Sequence, residues 1–336
     1  MKIKKPIIGI SIGDPNGIGI EVILKTFADS RMMDFCTPIV YASSKLISSY
    51  SKKIKFSEIE FYNIKDESKL SNNKRNILNC INEDFDVKFG LATKYAGKIA
   101  FLSLQRATEA LKNKKIDALV TAPINKLNIK ENKKDFIGHT EFLENNFDGK
   151  SLMIMSSEIM KVAFVTGHIP LSKVASNINS EIVLNKIIHL NSALEQDFAL
   201  QRPKIAILGL NPHAGENGML GPEEEKFINP AIENARSKNI LAYGAFSADS
   251  FFTTDNLNKF DAVLCMYHDQ GLIPFKSFSF NQGVNYTAGL EIIRTSPVHG
   301  TAYEIAGELQ ADPCSFRQAV FSACKIYKAR HLIKQM

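Results

Sequence analysis

The sequence is poor in several signals that would place it at once. Its five cysteines, Cys36, Cys80, Cys265, Cys314 and Cys324, are odd in number, far apart and without a CxxC pair. That excludes a disulfide framework and a thiolate zinc knuckle, and fits reduced thiols in a cytoplasmic protein. Arginine is scarce, with eight residues scattered among 41 Lys and Arg, so the net charge of +6 is a diffuse lysine excess. Nucleic-acid binding calls for clustered arginine with interleaved aromatics, and no segment has that pattern. No stretch approaches the ~18 apolar residues needed to cross a membrane. The apolar run after MKIKK is too short for a secretory signal and meets Gly13-Asp14-Pro15 in place of a cleavage site.

Two further absences concern chemistry. No GxGxxG fingerprint or GxxxxGK[ST] loop is present, so a Rossmann dinucleotide site or a P-loop is unsupported. No HExxH helix and no zinc-finger spacing occurs, so any metal site must be assembled by the fold from distant residues.

What is present is alternation. Short apolar runs, PIIGISI, TPIVYA, IEFYNI, DALVTAP, SLMIMSS, KVAFVTG, KIAILGL and DAVLCMY, are separated by helical patterns over residues 17–29, 95–113, 180–199, 223–238 and 314–334. With 45% hydrophobic residues and 336 positions, this predicts an α/β fold on a largely parallel sheet buried on both faces. There is no internal repeat or low-complexity linker, and the Asn/Lys-rich stretch Lys65 to Asp86 reads as a surface excursion. The length suits either one large α/β unit over 1–336 or two coupled domains, whose boundaries the sequence does not resolve.

In open α/β sheets ligands gather beyond the carboxyl ends of the strands. The polar, Gly/Pro-marked turns there are GDPNGIG (13–19), TAPINK (121–126), GHT (138–140), TGHIPL (166–171), NPHAGENGMLG (211–221) and YHDQG (267–271), followed by a block from Gly283 to Gly307. Five of the seven histidines fall in these turns; His189 and His331 lie in helical patterns and read as ordinary helix residues. His168, His213 and His268 each follow an apolar run closely beside Gly or Pro. One such histidine is an ordinary turn residue; three of one design point to a divalent metal site with open positions for substrate. Asp269 and Glu216 are candidate carboxylates to orient the imidazoles, and Asp249 a candidate extra ligand or base. GDPNGIG reads equally as a structural turn or a ligand contact. Pro222 with the three following glutamates reads as a helix start.

Taken together and in this order, GDPNGIG, TAPINK, GHTEFL, TGHIPL, NPHAGE, YHDQG, GVN, IRTS and HGTAYEIAG resemble the 4-hydroxythreonine-4-phosphate dehydrogenase family of vitamin B6 biosynthesis. The resemblance covers nearly the whole chain. It implies a two-domain fold like that of isocitrate and isopropylmalate dehydrogenases, with the active site in the interdomain cleft, and a homodimer sharing that site at its interface. It implies metal ligands at His168, His213 and His268, and substrate contacts at His139, Thr140, Lys276, Asn285 and Arg294. His299, Gly300, Thr301 and Ala302 look like the nucleotide-contacting loop. The implied reaction is NAD-dependent, with NADP as the variant, and uses one divalent ion (Zn, Mg, Co, Ni or Mn). It converts 4-phosphooxy-L-threonine to 2-amino-3-oxo-4-phosphooxybutanoate, which decarboxylates to 3-amino-2-oxopropyl phosphate for pyridoxine 5'-phosphate synthase. Lys276 and His139 both stand as candidates for the catalytic base, beside Asp249. Erythronate or threonate 4-phosphate is the sister substrate. A metal-dependent hydrolase or aldolase without nicotinamide, and a non-catalytic phosphometabolite binder, are the readings from other classes.

Overall fold

The computed structural model describes residues 4–56 and 59–333. Part of the MKIKK run and the last residue of the expected C-terminal helix lie outside them. The chain divides into two compact units, one formed by Met1–Lys150 with Leu290–Lys328, the other by Ser151–Gly289 with Ala329–Met336.

Twelve strands are found among the described residues: β1 (Ile7–Ser11), β2 (Thr37–Ala42), β3 (Tyr62–Ile64), β4 (Asn76–Asn79), β5 (Ala118–Thr121), β6 (Gly149–Ser156), β7 (Lys161–Phe164), β8 (Lys204–Leu208), β9 (Leu241–Phe246), β10 (Ala262–Cys265), β11 (Val284–Leu290) and β12 (Arg294–Pro297). In the first unit they run in the order β3-β4-β2-β1-β5-β12, with every registered pair parallel. In the second the order is β11-β6-β7-β10-β8-β9; β7, β10, β8 and β9 are mutually parallel and β6 is antiparallel to β7.

The central strands are buried at nearly every position, as a sheet covered by helices on both faces requires. Ile8, Ile10, Ile39, Val40, Leu119 and Val120 fill one core; Val162, Ala163, Ile205, Ile207 and Leu264 fill the other. Each fully buried aliphatic side chain contributes about 1.5–3 kcal/mol. The covering helices begin where short polar side chains meet free backbone amides. Thr93 Oγ1 accepts from Ala96 N at the start of Lys94–Lys112, and Asn179 Oδ1 from Ile182 N at the start of Ser180–Gln196.

All eight apolar runs contain a strand. The stretch from Lys65 to Asp86 departs from expectation, because β4 lies within it, between β3 and β2, with Ile77 and Leu78 buried. The 223–238 pattern opens as a π-helical turn, Glu224–Ile228, before the α-helix Asn229–Ser237. No described helix is long and apolar enough to cross a membrane.

Candidate active site residues in each unit

In the second unit, the parallel order β7-β10-β8-β9 sets four turns along one edge. They carry His168, His268, His213 and Asp249 in that spatial sequence. Hydrogen bonding between β7 and β10 continues past the strand ends, since Thr166 N and Oγ1 both donate to Met266 O, at 3.1 and 2.8 Å. This draws the two turns together, and the His168 and His268 rings lie with centroids 5.0 Å apart. His268 also stacks on Phe164 at 5.7 Å. Its Nδ1 is 2.7 Å from Asp269 Oδ1, which favours the proton on Nδ1 and leaves the Nε2 lone pair for a ligand. Gly271 lets the helix His268–Ser279 start this close to the sheet, because a Cβ there would lie 2.5 Å from Val162 and 2.6 Å from Cys265.

His213 stands apart from that pair. It projects from a turn in which His213, Ala214, Glu216 and Asn217 all have left-handed backbone angles, and it is exposed. Its Nδ1 is 3.9 Å from Glu216 Oε2, beyond hydrogen-bond reach. The turn is held by Glu224, whose buried carboxylate accepts from Leu210 N and Asn211 N at 2.7 Å each and from Asn211 Nδ2 at 2.9 Å. The acidic run after Pro222 therefore does more than begin a helix. Gln270 ties this turn to the His268 turn, accepting from Met266 N and donating to Gly209 O, both at 2.7 Å. Asp249 is exposed, accepts from the Ser247 hydroxyl, and has its carboxyl held below the usual range first by that bond and then in smaller part by His213.

Among the described residues no group of three or more His, Cys, Asp or Glu converges to hold a metal. The His168 and His268 rings meet, while His213, on the β8 turn that flanks the His268 turn, is exposed. Lys276 is exposed near the end of the helix that His268 begins, and Asn285 enters β11 with a buried Oδ1 that lacks a hydrogen-bond partner.

In the first unit, Arg294 opens β12 almost fully buried. Its Nε and one terminal nitrogen donate to Thr121 Oγ1, at the end of β5, over 3.2 and 2.7 Å. Burial pushes its pKa down to about 10, with Glu141 opposing. His139 and Thr140 begin the helix His139–Glu144. The His139 ring has a buried, unpartnered Nε2, and its pKa lies well below the ordinary value through desolvation, then through the charges of Arg294 and Lys126. A neutral imidazole beside two cations suits an anionic, hydrogen-bonding ligand.

The amides of the GDPNGIG turn from Asp14, Asn16, Gly17 and Ile18 are hydrogen-bonded, two within the turn and two to neighbouring segments. Asp14 N donates to Pro123 O, Asn16 N to Asp14 Oδ1, Gly17 N to Asp14 O and Ile18 N to Thr301 O. It joins the segments through Pro123 and Thr301. Its partner, the loop through His299, Gly300, Thr301 and Ala302, holds a buried, unpartnered His299 Nε2 and a Gly300 whose open side meets nothing within 4 Å. Thus His139, Asn285 and His299 each keep a buried polar atom without a hydrogen-bond partner, as do Ser11, Glu21, Thr26 and Arg317 among the described residues. Sequence reasoning missed Thr121, Glu224, Gln270 and Tyr303, although all four lie inside or beside the motifs.

The fold is of the α/β class, with a large, mostly parallel set of strands. Residues 34–323 match the model of the family described as Pyridoxal phosphate biosynthetic protein PdxA, and the chain belongs to that family. It is 44% identical over 325 residues to a 4-hydroxythreonine-4-phosphate dehydrogenase of Bacteroides thetaiotaomicron, covering 96% of this chain and 89% of that one. Proteins of several Clostridium botulinum strains, provisionally named D-threonate 4-phosphate dehydrogenases, are 37% identical over 96% of this chain and 97% of theirs. The crystal structure of a 4-hydroxythreonine-4-phosphate dehydrogenase from Klebsiella pneumoniae superposes with a TM-score of 0.84 at 31% identity, covering 97% of this chain and 99% of that one.

Proposed function

We propose that this protein is an NAD-dependent, metal-assisted dehydrogenase that oxidises the C3 hydroxyl of 4-phosphooxy-L-threonine. The resulting 2-amino-3-oxo-4-phosphooxybutanoate then decarboxylates to 3-amino-2-oxopropyl phosphate. The observation that carries the reading is the His168–His268 pair, two strand-end imidazoles side by side with Asp269 orienting one of them.

A divalent ion bound there supplies electrophilic stabilisation for both alkoxide and enolate character, and NAD supplies the hydride acceptor. The donor set fits an ion of intermediate softness but is incomplete in one chain, so His213 from a second copy is proposed to complete it. Each histidine segment carries an exposed apolar side chain, Leu171 at 74%, Met219 at 78% and Ile273 at 65%, as an edge covered by a homodimer partner would. Sedimentation tests this; a monomer that retains full metal affinity contradicts it.

The chain's own residues divide the remaining work. Arg294, held by Thr121, presents a fixed guanidinium to phosphate or carboxylate oxygens, with His139 and Thr140 as hydrogen-bonding neighbours. Asn285 Oδ1 accepts from a substrate ammonium or hydroxyl. Lys276, His139 and Asp249 are the candidates to take the hydroxyl proton; His139 stays uncharged at neutral pH and so is able to accept one. As C3 is oxidised, that base would take the hydroxyl proton, with the hydride acceptor supplied by the bound nucleotide. Loss of carbon dioxide then leaves its electron pair on C2, which is reprotonated. The loop through His299 to Ala302 is proposed to face the nucleotide, and the product to pass to pyridoxine 5'-phosphate synthase.

The Clostridium relatives favour a second reading, oxidation of D-threonate 4-phosphate. The two substrates differ at C2 in amine against hydroxyl. Side-by-side turnover, following NADH formation, separates them; activity on the sugar-acid phosphate alone overturns the amino-acid assignment.

A further inference from the structure

Tyr303 carries no recognisable catalytic motif, yet its hydroxyl donates to Asp14 Oδ2 at 2.8 Å across 289 residues of sequence. Asn128 Nδ2 donates to the same oxygen at 3.1 Å and to the Tyr303 oxygen at 3.2 Å, closing a three-membered network. Asp14 is 1% exposed, and its described hydrogen bonds come from Asn16 N, Asn128 and Tyr303. A buried carboxylate held by neutral donors, without an ion-pair partner in this network, is costly unless its geometry is kept.

The network holds a particular segment. Thr301 O accepts from Ile18 N at 3.0 Å, and Gly17 permits that approach, since a Cβ there would lie 2.6 Å from the same oxygen. Ala302 adopts the left-handed conformation, φ 44°, ψ 56°, which an alanine keeps only where its surroundings compel it. Thr301 is thus fixed through its backbone and Tyr303 through its side chain, one on each side of the strained residue. His299 and Gly300, immediately before, retain an unsatisfied Nε2 and an open face.

We propose that Asp14 and Tyr303 are positioning residues for nucleotide binding. Their hydrogen bond, supported by Asn128, holds the 299–302 loop in the conformation that receives NAD. The proposal rests on the dehydrogenase reading above. It gives the GDPNG motif a role at one remove from the ligand, as the anchor of the loop that meets it. Without the Tyr303 hydroxyl, the loop must be ordered at the moment of binding, and that cost appears in nucleotide affinity.

The test is direct titration of NAD into the purified, otherwise intact protein, with wild type, Tyr303→Phe, Asp14→Asn and the double variant compared. Substrate affinity and thermal midpoint are measured in parallel. Tyr303→Phe is expected to raise the Kd for NAD about five- to tenfold while the Kd for the phosphorylated substrate stays within twofold. The double variant should be little worse than the weaker single, as expected for partners in one interaction. Unchanged NAD affinity in both single variants overturns the proposal, as does a parallel loss of NAD and substrate affinity with a lowered midpoint. Failure of the dehydrogenase reading shows separately, as a wild-type protein with no NAD affinity, and removes the proposal with it.

Discussion

Asp269 holds its oxygen 2.7 Å from Nδ1 of the adjacent His268, while Glu216 stays 3.9 Å from Nδ1 of His213. Asp269 directly follows its histidine and Glu216 lies three residues after its own, and only the first is geometrically able to fix a tautomer.

Asp269→Ala is therefore expected to lower divalent-metal affinity about 10- to 100-fold, the usual cost of losing a carboxylate that orients a ligating imidazole. Glu216→Ala should change it far less. Metal content after dialysis against graded chelator checks the order of the two. Equal losses would remove the distinction between the carboxylates.

Thr121→Val keeps the shape of a fully buried side chain and deletes the oxygen that accepts twice from Arg294. A buried guanidinium deprived of an acceptor costs about 1.5–3 kcal/mol, read as a shift in denaturant midpoint. Because the same oxygen aims the guanidinium, KM for the phosphorylated substrate should rise more than KM for NAD. Unaltered stability and KM would mean that other partners hold Arg294 in place.

How far such pairs could be read from sequence depends on distance along the chain. The Asp269–His268 contact is adjacent and was legible. β1, β2, β5, β7, β8 and β10 were legible as apolar runs, because two covered faces leave no room for alternation. β4 (NILN), β9 (LAYGAF) and β12 (RTSP) were not, being short, glycine-containing or polar. In β12 the buried Arg294, Thr295 and Ser296 are accommodated in part by hydrogen bonds, such as Thr295 Oγ1 to Ala319 O, which no periodicity reveals. Strand order was equally hidden. It places β10 between β7 and β8, so the His268 turn lies between those of His168 and His213. The Tyr303–Asp14 bond, with its partners at opposite ends of the sequence, had no local signal at all.

His139 gives a pH dependence with a definite sign. Its folded pKa lies well below the ordinary 6.5, so the unfolded chain binds the proton more readily. The neutral ring's contribution to stability is fully present above about pH 6.5 and is lost as pH falls below it, at no more than about 1.4 kcal/mol per pH unit. His139→Asn should flatten that part of the stability curve. Denaturant midpoints from pH 7.5 down to 5 in wild type and variant test this, and parallel curves would refute it.

The last turn of the long helix Cys314–Ile333 is tied into the second unit by a buried triad. Arg330 Nε donates to Asp197 Oδ1 at 2.6 Å, Tyr286 Oη donates to Asp197 Oδ2 at 2.7 Å, and Arg330 donates to the Tyr286 oxygen at 3.1 Å. Asp197 is 4% exposed and accepts from both partners, so its loss takes a charged acceptor from the guanidinium and the acceptor of the phenol O–H at once. Asp197→Ala should therefore cost about 3–5 kcal/mol and Tyr286→Phe only about 1–2 kcal/mol. Neither residue is itself a candidate ligand-binding residue, so turnover per folded molecule should hold while the unfolding midpoint drops. If Tyr286→Phe proved the more damaging of the two, the weight of the triad would lie in the packing of the Tyr286 ring and not in the Asp197 charge.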